Sequence, residues 1–145
     1  MKNIKDTVKN IFRLPDFTIE RVTIKKEVVE DITTIARQTH PLEFTALLSG
    51  SIQKKTLRII GLVYQQYQAS EHATAMHFNL PMIHNTFGSV HSHPGFSNRP
   101  SGADLRFFNK HGVFHIIICM PYTRESMQAY DKSGNMVEFG IEEDN

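Results

Sequence analysis

His91 and His93 stand one residue apart, and Asp104 follows within the same short stretch, His91-Ser-His-Pro-Gly-Phe-Ser-Asn-Arg-Pro-Ser-Gly-Ala-Asp104. Two histidines spaced this way on a strand point to the same face, with Cα atoms about 6–7 Å apart. Both imidazoles can then reach one ion at zinc–nitrogen distances of about 2.0–2.1 Å. Two neutral imidazoles and a carboxylate leave a fourth position open, which is the pattern of catalytic rather than structural zinc. Each part alone is weak. A bare His-x-His more often lies on a surface or in a core without metal, and Ser101-x-x-Asp104 also spells a helix N-cap with an acidic first turn. The combination is more specific, because Pro94 and Pro100 bound the intervening loop.

The elements that must hold these residues can be read from periodicity. Ser89–His93 reads as a short strand and residues 94–100 as a loop. Residues 101–111 read as a helix capped by Ser101, with Lys110 and His111 at its C-terminal end and Gly112 at C′. Residues 113–120 follow as a buried strand, and 127–130 with 136–139 as a closing hairpin around Asp131-Lys-Ser-Gly134. Upstream, Ile4, Val8, Ile11 and Phe12 recur at helical spacing, predicting a short helix or a loosely ordered arm over 1–15. Phe17–Ile24 is β-prone, and Val28, Ile32, Ile35 and Ala36 share one helical face until Pro41. Residues 44–51 and 55–67 read as antiparallel strands. Gln68–Ala75 is loop-like and Phe78–Phe87 is ambiguous around Pro81. The sum is a single α/β domain over 1–145, a mixed and mainly antiparallel sheet flanked by helices.

Composition narrows the function classes. Length, 145 residues, suits one domain, and 40% hydrophobic with 21% charged residues suits a packed core. A net charge of +1 argues against a nucleic-acid or anionic-membrane binder. No apolar run approaches the roughly 18–20 residues of a membrane span. The basic N-terminus leads into no apolar h-region, so the expected location is the cytoplasm. The single cysteine, Cys119, excludes an intrachain disulfide and reads as a buried small residue.

His91-Ser-His93-Pro, the loop, and Ser101-x-x-Asp104 resemble the signature of the JAMM (MPN-plus) metalloprotease family. That family also has an upstream glutamate in a Pro-x-Glu-x-x-Gly-x-Leu-x-Gly-like context at a helix-to-strand junction. Pro41, Glu43, Leu48 and Gly50 match it here, with Ala46 in place of the first glycine. The resemblance covers residues 25–130 and implies a cytidine-deaminase-like architecture, with zinc at a strand end beside a helix N-terminus. It implies one zinc ion per chain on His91, His93 and Asp104, Glu43 as the general base, and Ser101 as a donor to the developing oxyanion. Taken alone, Glu43 would read as a solvated carboxylate at a helix end.

The resemblance further implies hydrolysis of a peptide or isopeptide bond after the extended C-terminal tail of a ubiquitin-like protein. The chain is nearly a minimal domain without a Cys- or His-rich insertion, which favours a small prokaryotic or archaeal member acting on a ubiquitin-like or sulfur-carrier protein. A homodimer remains open; a nucleic-acid or membrane partner is not expected. The alternatives are a non-catalytic scaffold or binding module, and a zinc hydrolase of another amide. A DNA-repair-associated relative would need a further helical domain, and a Pro-Cys-x-x-Cys deaminase is excluded by the single cysteine. His40, His72, His77 and His84 show no spacing for a second metal site, His111 suits a helix C-terminus, and His115 alternates with core residues on a strand.

Overall fold

Apolar residues at alternate positions build a mixed sheet, and the two helices among the described residues cover its opposite faces. The computed structural model describes residues 12–14, 17–64 and 85–143. In chain order these hold β1 (Phe12–Leu14), β2 (Phe17–Ile19), β3 (Arg21–Lys25), α1 (Lys26–Thr39), β4 (Thr45–Gln53), β5 (Thr56–Tyr64) and β6 (Thr86–Ser92). Then come α2 (Gly102–Lys110), β7 (Phe114–Ile118), a 3₁₀ turn (Arg124–Ser126), β8 (Met127–Tyr130), β9 (Met136–Val137) and β10 (Gly140–Glu142). The main sheet runs β10-β3-β5-β4-β6-β7-β8-β9, while β1 and β2 form a separate antiparallel pair. Pairs β10/β3, β3/β5 and β6/β7 are parallel; the remaining pairs of the main sheet are antiparallel.

Strand β7 shows how the faces are divided. Phe114, Ile116 and Ile118 join the larger core with Val28, Ile32 and Ala36 of α1, whereas Ile117 packs with Phe108 of α2 and with Tyr130. Because side chains alternate along a strand, α1 and α2 lie on opposite faces. In β6, Val90 belongs to the α1 side. Ser89 and His91 therefore look toward α2, and the site lies on that face. The β4–β5 hairpin turns through Lys54 and Lys55, both at positive φ (49° and 65°), which is the backbone a two-residue I′ turn requires.

Two sequence expectations change. Phe12–Leu14 is a strand and not the end of a helix over 1–15: pairing with Phe17–Ile19 supplies backbone partners that a helix ending at Pro15 would lack. The rest of that expectation, residues 1–11 and 15, lies outside the described residues, as do residues 65–67 of the second expected strand, the Gln68–Ala75 loop and residues 78–84. The last hairpin strand stops at Val137, and Gly140–Glu142 crosses to the opposite edge to lie parallel to β3. Arg58 fixes it there by a two-pronged bond to Glu142 at 2.9 and 2.8 Å, with Thr23 adding a third at 2.6 Å. Among the described residues no helix is long and apolar enough to cross a membrane.

Candidate metal centre

The predicted ligands arrive from two adjoining elements. His91 is the last residue but one of β6, and His93 stands just beyond the strand, its N–H donating to the Ile118 carbonyl at 2.8 Å so that the strand direction continues. Asp104 stands in the first turn of α2, where a capping box sets its place. Its N–H donates to the Ser101 hydroxyl at 3.1 Å, and its Oδ2 accepts from the Ser101 N–H at 2.8 Å. Gly112 (φ 121°) closes the other end of α2 in the left-handed region that glycine tolerates.

His93 Nε2 lies 3.0 Å from Asp104 Oδ2, and His93 Nδ1 lies 3.0 Å from the Ser97 carbonyl. A carbonyl only accepts, so Nδ1 carries a proton and Nε2 is the nitrogen turned to the carboxylate. The hydrogen bond to Asp104 raises the His93 pKa against the pull of burial. Burial alone would raise Asp104, but the hydrogen bonds from His93 and Ser101, with the nearby His91, hold its carboxyl down at about 2.

His91 is buried, 7% exposed, and burial lowers its pKa to about 4, so it is neutral near pH 7. Its Nε2 lies 2.8 Å from Ser89 Oγ, and its Nδ1 lies 3.3 Å from Thr45 Oγ1. Both partners follow from register: Thr45 is paired with His91 across β4/β6, and Ser89 precedes it by two on the same face. Ser89 is in turn paired with His115 across β6/β7, and its hydroxyl lies 2.7 Å from His115 Nδ1. His115 Nε2 donates to the carbonyls of Phe108 (3.1 Å) and Gly112 (3.2 Å). Its Nδ1 must therefore accept from Ser89, and the Ser89 oxygen accepts from His91. Sequence reasoning missed this buried chain, because it depends on which residues of separate strands lie side by side.

These residues gather around a cavity of about 450 Å³ lined by Glu43, Thr45, His91, His93, Arg99 and Ser101 among others. Glu43 is exposed, on the segment between α1 and β4, and its charge helps raise His93. The Ser101 hydroxyl caps α2 through a lone pair, so its proton stays free to donate. Cys119 is buried, as expected, and burial pushes its thiol pKa up.

The donor set suits zinc in chemistry: a neutral His91 and an ionised Asp104, with His93 facing the carboxylate through Nε2. Two ligands of a tetrahedral ion with bonds of about 2.0 Å stand roughly 3.3 Å apart, so His93 and Asp104 need open by only a few tenths of an ångström. His91 is turned toward Ser89, and among the described residues no three His, Cys, Asp or Glu side chains close around one point.

Sequence and fold are both similar to those of known proteins. Residues 25–130 match the family described as prokaryotic homologs of the JAB domain. A Haloferax volcanii protein described as a probable metalloprotease is 31% identical, covering 84% of this chain and 80% of that protein. A JAB1/MPN domain protein from Archaeoglobus fulgidus superposes with a TM-score of 0.65 at 33% identity, covering 83% of this chain and 96% of its own. A structure described as a JAMM metalloprotease-like zinc site in the proteasome and signalosome gives 0.65 at 36% identity, over 84% of this chain and 98% of its own. A Desulfitobacterium hafniense protein, at 22% identity and 0.63, shares the fold.

Proposed function

Because the chain belongs to the family of prokaryotic homologs of the JAB domain, a JAMM-like metalloprotease family, we propose that it is a zinc-dependent peptidase or isopeptidase. The observation that carries this reading is the His93–Asp104 pair at 3.0 Å, in a cavity that Glu43, His91 and Ser101 also line. Zinc held by His91, His93 and Asp104 would supply Lewis-acid chemistry, polarising a carbonyl and making water acidic near neutral pH. Glu43 takes a proton from the attacking water and returns it to the leaving amine. The free O–H of Ser101 donates to the carbonyl oxygen as negative charge develops there. Both strands that carry the site, β4 and β6, are paired on each side. An extended substrate tail therefore enters the cavity instead of adding to either strand.

The substrate class is the C-terminal tail of a ubiquitin-like or sulfur-carrier protein, the tail that the family resemblance implies. The test is metal analysis joined to cleavage of such proteins, from the same organism, carrying a C-terminal peptide extension. The native protein is expected to hold about one zinc per chain. His91→Ala and Asp104→Ala should lose the metal, while Glu43→Gln should keep it and cleave nothing. Full cleavage by Glu43→Gln would remove the proposed base. A second reading, a non-catalytic binding module, is favoured by the turn of His91 toward Ser89. A zinc-free protein that binds its partner and cleaves nothing would establish it.

A further inference from the structure

Glu43 is exposed on the segment that joins α1 to β4, so no regular element of its own fixes its place. Two stitches tie that segment to the strand of the two histidines. Ser92 makes the first: its hydroxyl accepts from the Phe44 N–H at 2.8 Å, and its own N–H donates to the Phe44 carbonyl at 3.0 Å. Tyr122, from the turn after β7, makes the second. Its hydroxyl donates to the His93 carbonyl at 2.9 Å and lies 2.9 Å from His40 Nδ1. A phenol has one proton, and the carbonyl takes it, so His40 Nδ1–H must donate to the phenol oxygen. The two rings meet edge-on with centroids 5.6 Å apart.

One hydroxyl thus joins the backbone of a proposed metal ligand to the residue three before Glu43. Tyr122 is itself firmly placed. It is 4% exposed, its N–H donates to the Cys119 carbonyl at 2.8 Å, and its φ of 61° is one that few residues other than glycine adopt. An uncommon backbone angle held by its surroundings is a feature found where a side chain must be aimed.

We propose that Tyr122, acting through His40, is a positioning residue that sets the separation between Glu43 and the donors on β6 and α2. This rests on the reading of Glu43 as the base. Tyr122→Phe keeps the ring and its packing and removes only the hydroxyl. A shift of the base by about 1 Å can cost up to 100-fold, so kcat is expected to fall roughly 10- to 100-fold with KM and zinc content unchanged. His40→Ala should give the same loss, and the double variant no more than either single change. His40→Gln, which keeps a donor, should recover part of the rate. Native kcat in Tyr122→Phe overturns the proposal, and so does a loss that comes with lost zinc or a lost fold.

A separate readout covers a native protein that cleaves nothing, which would be a failure of the proposed function. Amide exchange at Leu42 and Phe44 and the ¹⁵N shift of His40 Nδ1 can be measured in the free protein. Tyr122→Phe should speed the exchange about tenfold and move the shift to that of a solvated imidazole; no change in either overturns the placement.

Discussion

Replacing His115 by glutamine isolates an acid sensitivity that lies beneath the site. His115 is fully buried, stacked on Phe108 with centroids 4.4 Å apart, and both ring nitrogens are engaged. Burial pulls its pKa from 6.5 to about 3, with His91 and His111 acting in the same direction and the bonds to the two carbonyls opposing. In the unfolded chain the ring titrates near 6.5. The folded value is the lower one, so the contribution of neutral His115 is fully present above 6.5 and is lost as pH falls toward 3. At pH 5 the unfolded ring is protonated and the folded ring is not. That difference of about 1.5 pH units, at about 1.36 kcal/mol each, costs about 2 kcal/mol. The assay is urea unfolding in the presence of chelator at pH 7.5 and pH 5, for the native protein and for His115→Gln. The native protein should lose about 2 kcal/mol more than the variant, a relative midpoint shift of about 1 M for a slope near 2 kcal/mol/M. His91 contributes to both proteins and cancels. Equal pH dependence in the two would refute the reasoning, as would a His115 ring signal titrating between pH 8 and 5 in the folded state.

Further outcomes follow from other parts of the site. Ser101→Ala removes the proposed donor to the oxyanion and, on that proposal, should lower kcat about 10²- to 10³-fold with zinc retained. It also removes the cap of α2, at about 1 kcal/mol in a thermal melt, and Ser101→Thr should restore both. A Cβ on Gly88 would lie 1.5 Å from the Phe114 carbonyl oxygen, so Gly88→Ala must force β6 and β7 apart. It should destabilise by roughly 3 kcal/mol or more in urea unfolding. Asp104→Asn removes the negative charge, and with it the charge-assisted hydrogen bond, that raises His93. In the metal-free protein, an NMR titration should show the His93 midpoint above 6.5 for the native chain and lower in the variant.

The residues proposed to do chemistry stand out in the sequence because most of their signals are local. Period two along β6 puts His91 and His93 on one face. Ser101, Asp104 and Gly112 announce the start and stop of α2 through caps complete within one helix. Glu43 was legible only through the matched context from Pro41 to Gly50, since no property of a single glutamate marks it as a base. What tertiary structure decided was everything that depends on which strands lie side by side. The register of β6 on β7 joins Ser89 to His115, and that of β4 on β6 sets Thr45 against His91. The turn after β7 carries Tyr122 to His40 and His93, residues far from it in the chain. The crossing of Gly140–Glu142 to β3, and the β1–β2 pair in place of a helical end, have the same origin. Caps and periodicity are properties of a few neighbouring residues, whereas register is chosen by the burial of whole faces at once.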